Sequence, residues 1–295
     1  MKLSALTEKQ RRTALMIFAL ALTFVSILLR TLSLIFFYDS EIGYYTSGAA
    51  LPIISNAVYA LSAILFIVLV YFIFKPADAV AEPHKASCYA SLLPTLAVLA
   101  NLFFRISEVS RISKELGRDT YISILLRGAV YPGIKLTQMN AVLLWIDIFL
   151  CALTAIFFLI PIFRKKASKL SVVFGIGAFL WLFVTWMRSY LDFKTPLNSP
   201  DKVFFHLGCI GAVLFIVAEL RTLYDISKPK LYWFSAIFAI FSLGVSAIPS
   251  IIGDAMGLFN RYSLRYENVF LAALLVYAVV RVILLWHSEG GKDNP

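Results

Sequence analysis

Arg30, Arg105, Asp147, Arg188 and His206 are the residues whose types and setting could do chemistry, because each lies inside or at the edge of a long apolar run. An ionisable group in such a run is costly and normally faces a bundle interior. Asp147 stands in LLWIDIFLCAL, too deep for its short side chain to reach water. At 1.5 Å per residue, Arg30 lies about 10 Å and Asp147 about 12 Å below the same end of their helices. The spacing therefore predicts that these two neutralise each other. Arg105 with Glu108, and Arg188 with Asp192, are pairs at helical spacing, and His206 begins a run at that level. Asn56 and Asn101 add neutral polar groups. Together these residues predict a polar pocket in one half of a membrane, with arginines set to hold an anionic solute. The plainer reading is that each charge snorkels to a headgroup or closes a structural pair.

Other chemistry finds no support in the residues. The chain has no phosphate-binding glycine loop, no His-Glu-x-x-His helix and no Gly-x-Ser-x-Gly elbow. His84, His206 and His287 are far apart in sequence, and Cys88, Cys151 and Cys209 form no Cys-x-x-Cys pair. The cysteines read as small apolar fillers. No cofactor and no metal is expected.

The elements that must position these residues follow from composition. Of 295 residues, 60% are hydrophobic and only 15% charged, with a mean hydropathy of +0.83. Crossing a bilayer core takes about 20 helical residues, and backbone groups in lipid must bond within the segment. Eight runs meet that length: about 13–37, 51–74, 87–106, 139–163, 170–190, 202–224, 231–252 and 267–286. The expected fold is all-α: one polytopic transmembrane helical bundle of eight spans, joined by short loops into four antiparallel hairpins. The basic residues before the first run resemble the start of a signal peptide. The run is too long and lacks a small-residue cleavage site, so it reads as a retained helix.

Lysine and arginine set the threading. With both termini in the cytoplasm, the inner segments and membrane edge carry fourteen basic residues and the outer ones nine. The strongest inner marker is Arg164, Lys165, Lys166 and Lys169; the dissenting one is the long loop Glu108–Gln138, with Arg111, Lys114, Arg118, Arg127 and Lys135 outside. That loop is partly amphipathic and is expected to form a short interfacial helix or re-entrant segment, broken by Gly128, Pro132 and Gly133. Trp186, Trp233 and Trp286 fit an aromatic belt, and Gly175, Gly177, Gly208 and Gly211 fit close helix contacts. Pro94 and Pro249 are expected to kink their helices. Arg221 and Asp225 read as an i,i+4 pair near the inner face. The net charge of +10 suits anionic lipid headgroups. No soluble basic face exists for a nucleic acid.

Arg30, then Phe37-Tyr38-Asp39 and Gly43-Tyr44-Tyr45, resembles uncharacterised multi-spanning membrane proteins of anaerobic Gram-positive gut bacteria. The resemblance implies a bacterial cytoplasmic-membrane protein and carries over no functional residue. Within that stretch, Gly43 reads as a turn whose amides Asp39 bonds. The residues favour recognition or transport of a small solute over a scaffold that binds other membrane proteins through its long outer loop. An intramembrane lipid-modifying enzyme ranks last, because no second acid stands clearly level with Asp147.

Overall fold

The computed structural model describes residues 8–70, 85–131, 136–163, 169–191, 198–223, 228–259 and 265–290. Its helices are α1 (Glu8–Phe37), α2 (Ala50–Val68), α3 (Lys85–Ala90), α4 (Leu92–Leu116), α5 (Arg118–Arg127), α6 (Gln138–Phe163), α7 (Lys169–Leu191), α8 (Pro200–Leu223), α9 (Pro229–Ala255) and α10 (Arg265–Gly290). Strands β1 (Tyr38–Asp39) and β2 (Tyr44–Tyr45) make a small hairpin between α1 and α2. Eight segments are long and apolar enough to cross a membrane, so the chain is an all-α polytopic helical bundle. The expected hairpin partners touch: α1 with α2, α4 with α6, α7 with α8, and α9 with α10. The most extensive contact, α8 on α9, joins two of those hairpins.

Helix α9 is the hub, packed by α1, α2, α8 and α10. In its apolar window 72% of the residues are buried, against 28% in α1 and in α2. Its small residues explain this. Ser235, Ala239, Ser242, Ser246 and Ser250 recur every three or four residues and are all buried. Opposite them, a Cβ on Gly208 would lie 2.5 Å from Ser246 Oγ, and one on Gly211 only 1.7 Å from Ser242 Oγ. Only glycine fits there, and the two backbones close up as the Gly208/Gly211 pair predicts. Gly175 and Gly177 likewise admit Leu220 and Leu153. The outward faces carry Phe24, Phe36, Leu61, Phe103 and Phe149, all exposed, as expected where lipid is the solvent.

The third span departs from expectation. It breaks at Ser91 into α3 and α4, so Pro94 sits in the first turn of α4, where its missing N–H leaves little to lose. It then runs on to Leu116, ten residues past the expected end. The loop expected to carry a short helix holds α5, which starts after Gly117 (φ 82°) and stops at left-handed Gly128 (φ 66°). Gly128 N donates to Ile124 O and Ala129 N to Ser123 O, closing the helix end. Pro132 and Gly133 lie outside the described residues, as do Arg164, Lys165 and Lys166. In the 38–45 hairpin, Asp39 Oδ1 accepts from Glu41 N (2.9 Å) and Ile42 N (3.3 Å), and Gly43 has φ 73°, as read from the sequence. Trp233 corrects the belt: it is fully buried and edge-on to Trp286, on the face of α9 turned towards α10.

Candidate functional site

Four helices bring charge to one place. Arg105 of α4 is buried, and its guanidinium reaches three carboxylates: Glu108 Oε2 (Nη1, 2.8 Å), Asp147 Oδ2 (Nε, 3.0 Å) and Glu267 Oε1 through Nη2. The Nε contact is an ion pair without the alignment of a hydrogen bond. Asp147 of α6 also accepts from Trp181 Nε1 (2.8 Å) and from Arg188 Nη1, both on α7. Glu267 stands in the first turn of α10. The side chains grade from 1% exposed at Asp147 and 2% at Arg105 to 25% at Arg188 and 26% at Glu108. The cluster therefore runs from the core towards the surface.

The helices place these groups by ordinary periodicity. Asn101, Arg105 and Glu108 share one stripe of α4, and Asp147 lies one turn from Cys151 on the α4-facing side of α6, where Cys151 Sγ donates to Val98 O (3.3 Å). Trp181 is wedged edge-on to Phe270 of α10 at 4.7 Å, so its N–H is held towards Asp147. Phe104 stacks on Tyr266 at 4.3 Å, fixing α4 against the start of α10. Every pairing except Arg105–Glu108 joins two different helices. Guanidinium forks suit this, since one planar group can serve several carboxylates at once.

Arg30 does not join this cluster, and the expected Arg30–Asp147 pair is not formed. Arg30 turns instead to α9: Nη1 donates to Val245 O and to Ser246 O (2.9 Å), and Nη2 to Ser250 Oγ (3.2 Å). Its guanidinium lies over the Phe204 ring, 4.1 Å from the centroid. The reason is Pro249. A proline has no N–H, so the carbonyl four residues earlier, Val245, has no helical donor. In lipid such a carbonyl must find a partner elsewhere, and Arg30 supplies it. Equal depth on two helices says nothing about azimuth; α1 packs on α9, whereas Asp147 faces α4 and α7.

His206 also stands apart, among the rings of Trp186, Tyr190 and Phe205 at 6.0, 6.4 and 6.3 Å. Arg188 reaches Asp147; its expected partner Asp192 lies outside the described residues, as does Asp225, the expected partner of Arg221. A third ionic group occupies the opposite end of the bundle. Glu219 of α8 accepts from Arg281 Nε of α10 (3.2 Å) and from the Tyr232 hydroxyl of α9. Sequence reasoning missed Glu267 as a second acid level with Asp147, because it stood at a span boundary. It also missed Trp181. The usable signal was that a lone mid-membrane acid needs donors, and Trp181 and Arg188 lie on one stripe seven residues apart.

Among the described residues, no three His, Cys, Asp or Glu side chains are grouped to hold a metal ion. The class defined is a polytopic helical membrane protein with a multi-helix ion-pair cluster in one half of its bundle. Comparison with family models, curated proteins and solved structures finds no match to this chain.

Proposed function

We propose that the chain recognises, and carries across the membrane, a small solute bearing a carboxylate, at the Arg105–Asp147–Arg188–Glu267–Glu108 cluster. The observation that carries this reading is the gradient of exposure, from Glu108 and Arg188 at about a quarter to Asp147 at almost none. A carboxylate arriving at Arg188 meets a guanidinium already bound to a carboxylate, and exchange replaces one such bond by another. Such exchange is easier than extracting a lone buried charge, whose isolation costs about 3–5 kcal/mol. Since these charges join α4, α6, α7 and α10, a solute that displaces one of them alters how four helices pack. In this reading both termini lie in the cytoplasm, which the positive-inside count supports, and the cluster opens outward from a plasma membrane.

The test is uptake of radiolabelled acetate, lactate and succinate into vesicles containing the purified protein, with phosphate as the non-carboxylate comparison. Wild type is expected to take up at least one carboxylate above empty vesicles. Arg188→Gln is expected to lose it, while Arg30→Gln, outside the cluster, keeps it in correctly folded protein. Equal uptake by Arg188→Gln and wild type, or no uptake of any carboxylate, refutes the reading.

A further inference from the structure

The cluster is unbalanced. Among the described residues it holds two guanidinium groups, Arg105 and Arg188, and three carboxylates, Asp147, Glu267 and Glu108. The three carboxylates are not equally served. Asp147 takes Trp181, Arg188 and Arg105. Glu108 has Arg105 and partial contact with solvent. Glu267 is 3% exposed, is served by Arg105 on Oε1, and has no hydrogen-bond partner on Oε2. A buried carboxylate oxygen without a donor is among the most costly groups a membrane interior can hold.

We infer that Glu267 Oε2 is a proton-binding site of the cluster, and that the proton it takes up accompanies the anionic solute. This rests on the proposed function for the solute, but not for the proton. The groups facing Glu267 are Arg105 of α4, with Glu108 on the other side of its guanidinium, Asp147 and Cys151 of α6, Arg188 of α7 and Cys209 of α8. From α9, Ser246 approaches Gly208, as does Leu271, one turn along α10 from Glu267. Three influences oppose protonation: Arg105 on Oε1, Arg188 close by, and the N-terminus of α10, which favours a negative first turn by about 0.3–1 kcal/mol. Arg105 serves Oε1 alone; Oε2 is buried without a donor, and a proton placed there removes the cost of that desolvated oxygen. A proton also needs no cavity, which a metal cation or an ammonium group would. The proton adds to Oε2, Glu267 becomes neutral, and its hold on Arg105 weakens from an ion pair to a hydrogen bond between the cation and a neutral carboxylic acid. Arg105 keeps Glu108 and Asp147, and its Nη2 is then available to donate to the carboxylate of the solute. One positive charge bound with one negative charge leaves the site's net charge unchanged, so a monovalent carboxylate and a proton enter together.

Infrared difference spectroscopy of the protein in lipid nanodiscs, stepped in pH with no solute present, reads this directly. Wild type is expected to show the carbonyl stretch of a protonated buried carboxyl. Glu267→Gln, nearly isosteric, should lose that band, while Asp147→Asn and Glu108→Gln retain it; size exclusion reports whether each variant is folded. If Glu267→Gln does not fold, carbon-13 labelling of glutamate against aspartate in wild type, with Glu108→Gln as control, makes the assignment. Absence of a protonated carboxyl band in wild type, or its loss with Asp147 or Glu108 instead, overturns the inference. In vesicles, a proton gradient should drive carboxylate accumulation in wild type but not in Glu267→Gln. Carboxylate uptake indifferent to the gradient in wild type would sink the proton site and leave solute recognition standing. A Glu267 band without any uptake would do the reverse.

Discussion

Replacing Arg30 by methionine tests the proline argument. The substitution removes a guanidinium that is fully buried and donates to Val245 O, Ser246 O and Ser250 Oγ. Val245 O is left with no donor, because Pro249 has no N–H to give; an orphaned buried carbonyl costs about 1–3 kcal/mol. Two further interhelical bonds are lost, each worth about 0.6 kcal/mol in membrane helices. Methionine fills much of the space and removes a buried charge, which limits the damage. The expected destabilisation is about 2–4 kcal/mol. In a Pro249→Ala background the helix supplies its own donor to Val245 O, so Arg30→Met should cost less there, by about 1–2 kcal/mol. The assay is a double-mutant cycle by detergent-driven unfolding in mixed micelles, followed by tryptophan fluorescence. If the two substitutions add without coupling, Arg30 is not serving the carbonyl that Pro249 frees, and the account of this site is wrong.

Three further outcomes follow from the same geometry. Asp147→Asn leaves Arg105 and Arg188 underpaired and should cost about 3–5 kcal/mol, whereas Arg188→Gln, a quarter exposed, should cost clearly less in the same unfolding assay. Gly211→Ala puts a methyl group 1.7 Å from Ser242 Oγ and should destabilise the α8–α9 contact by about 1–3 kcal/mol, with partial recovery on Ser242→Ala, read as thermal midpoints. Tyr45, in the loop hairpin, has its phenol pushed above the ordinary value, first by burial and against the opposing pull of Arg30. Its contribution to stability is complete below about pH 10, where an unfolded phenol ionises, and is lost as pH rises through the higher folded value. Ultraviolet titration should show one fewer late-ionising tyrosine in Tyr45→Phe than in wild type.

The sequence carried the architecture further than the site. Long apolar runs such as ALMIFALALTFVSILL have one solution in lipid, so helix number and pairing were readable from length. Asp39 and Gly43, the Gly208/Gly211 pair and the Arg105–Glu108 pair were readable because each depends on residues close in sequence. The Arg30–Asp147 pair was misread because it depends on which faces of two helices turn towards each other. That is decided by packing: glycines 208 and 211 draw α8 onto α9, and the carbonyl freed by Pro249 draws Arg30 to the same helix. Glu267 was overlooked because a helix-end acid looks solvated until α4 is found to run past it. The extension of α4 to Leu116 was hidden by charges at Glu108, Arg111 and Lys114, which lower hydropathy without breaking a helix.

The account turns on the cluster being a place where a carboxylate is exchanged. Thermal unfolding of the purified protein against acetate, lactate, succinate, phosphate and sulfate tests this most directly, because a ligand at 100 times its Kd stabilises by about 2.7 kcal/mol. The account predicts a rise of several degrees with at least one carboxylate, stronger at acidic pH in wild type and absent in Arg188→Gln. No shift with any carboxylate, or the same shift in Arg188→Gln, would contradict it.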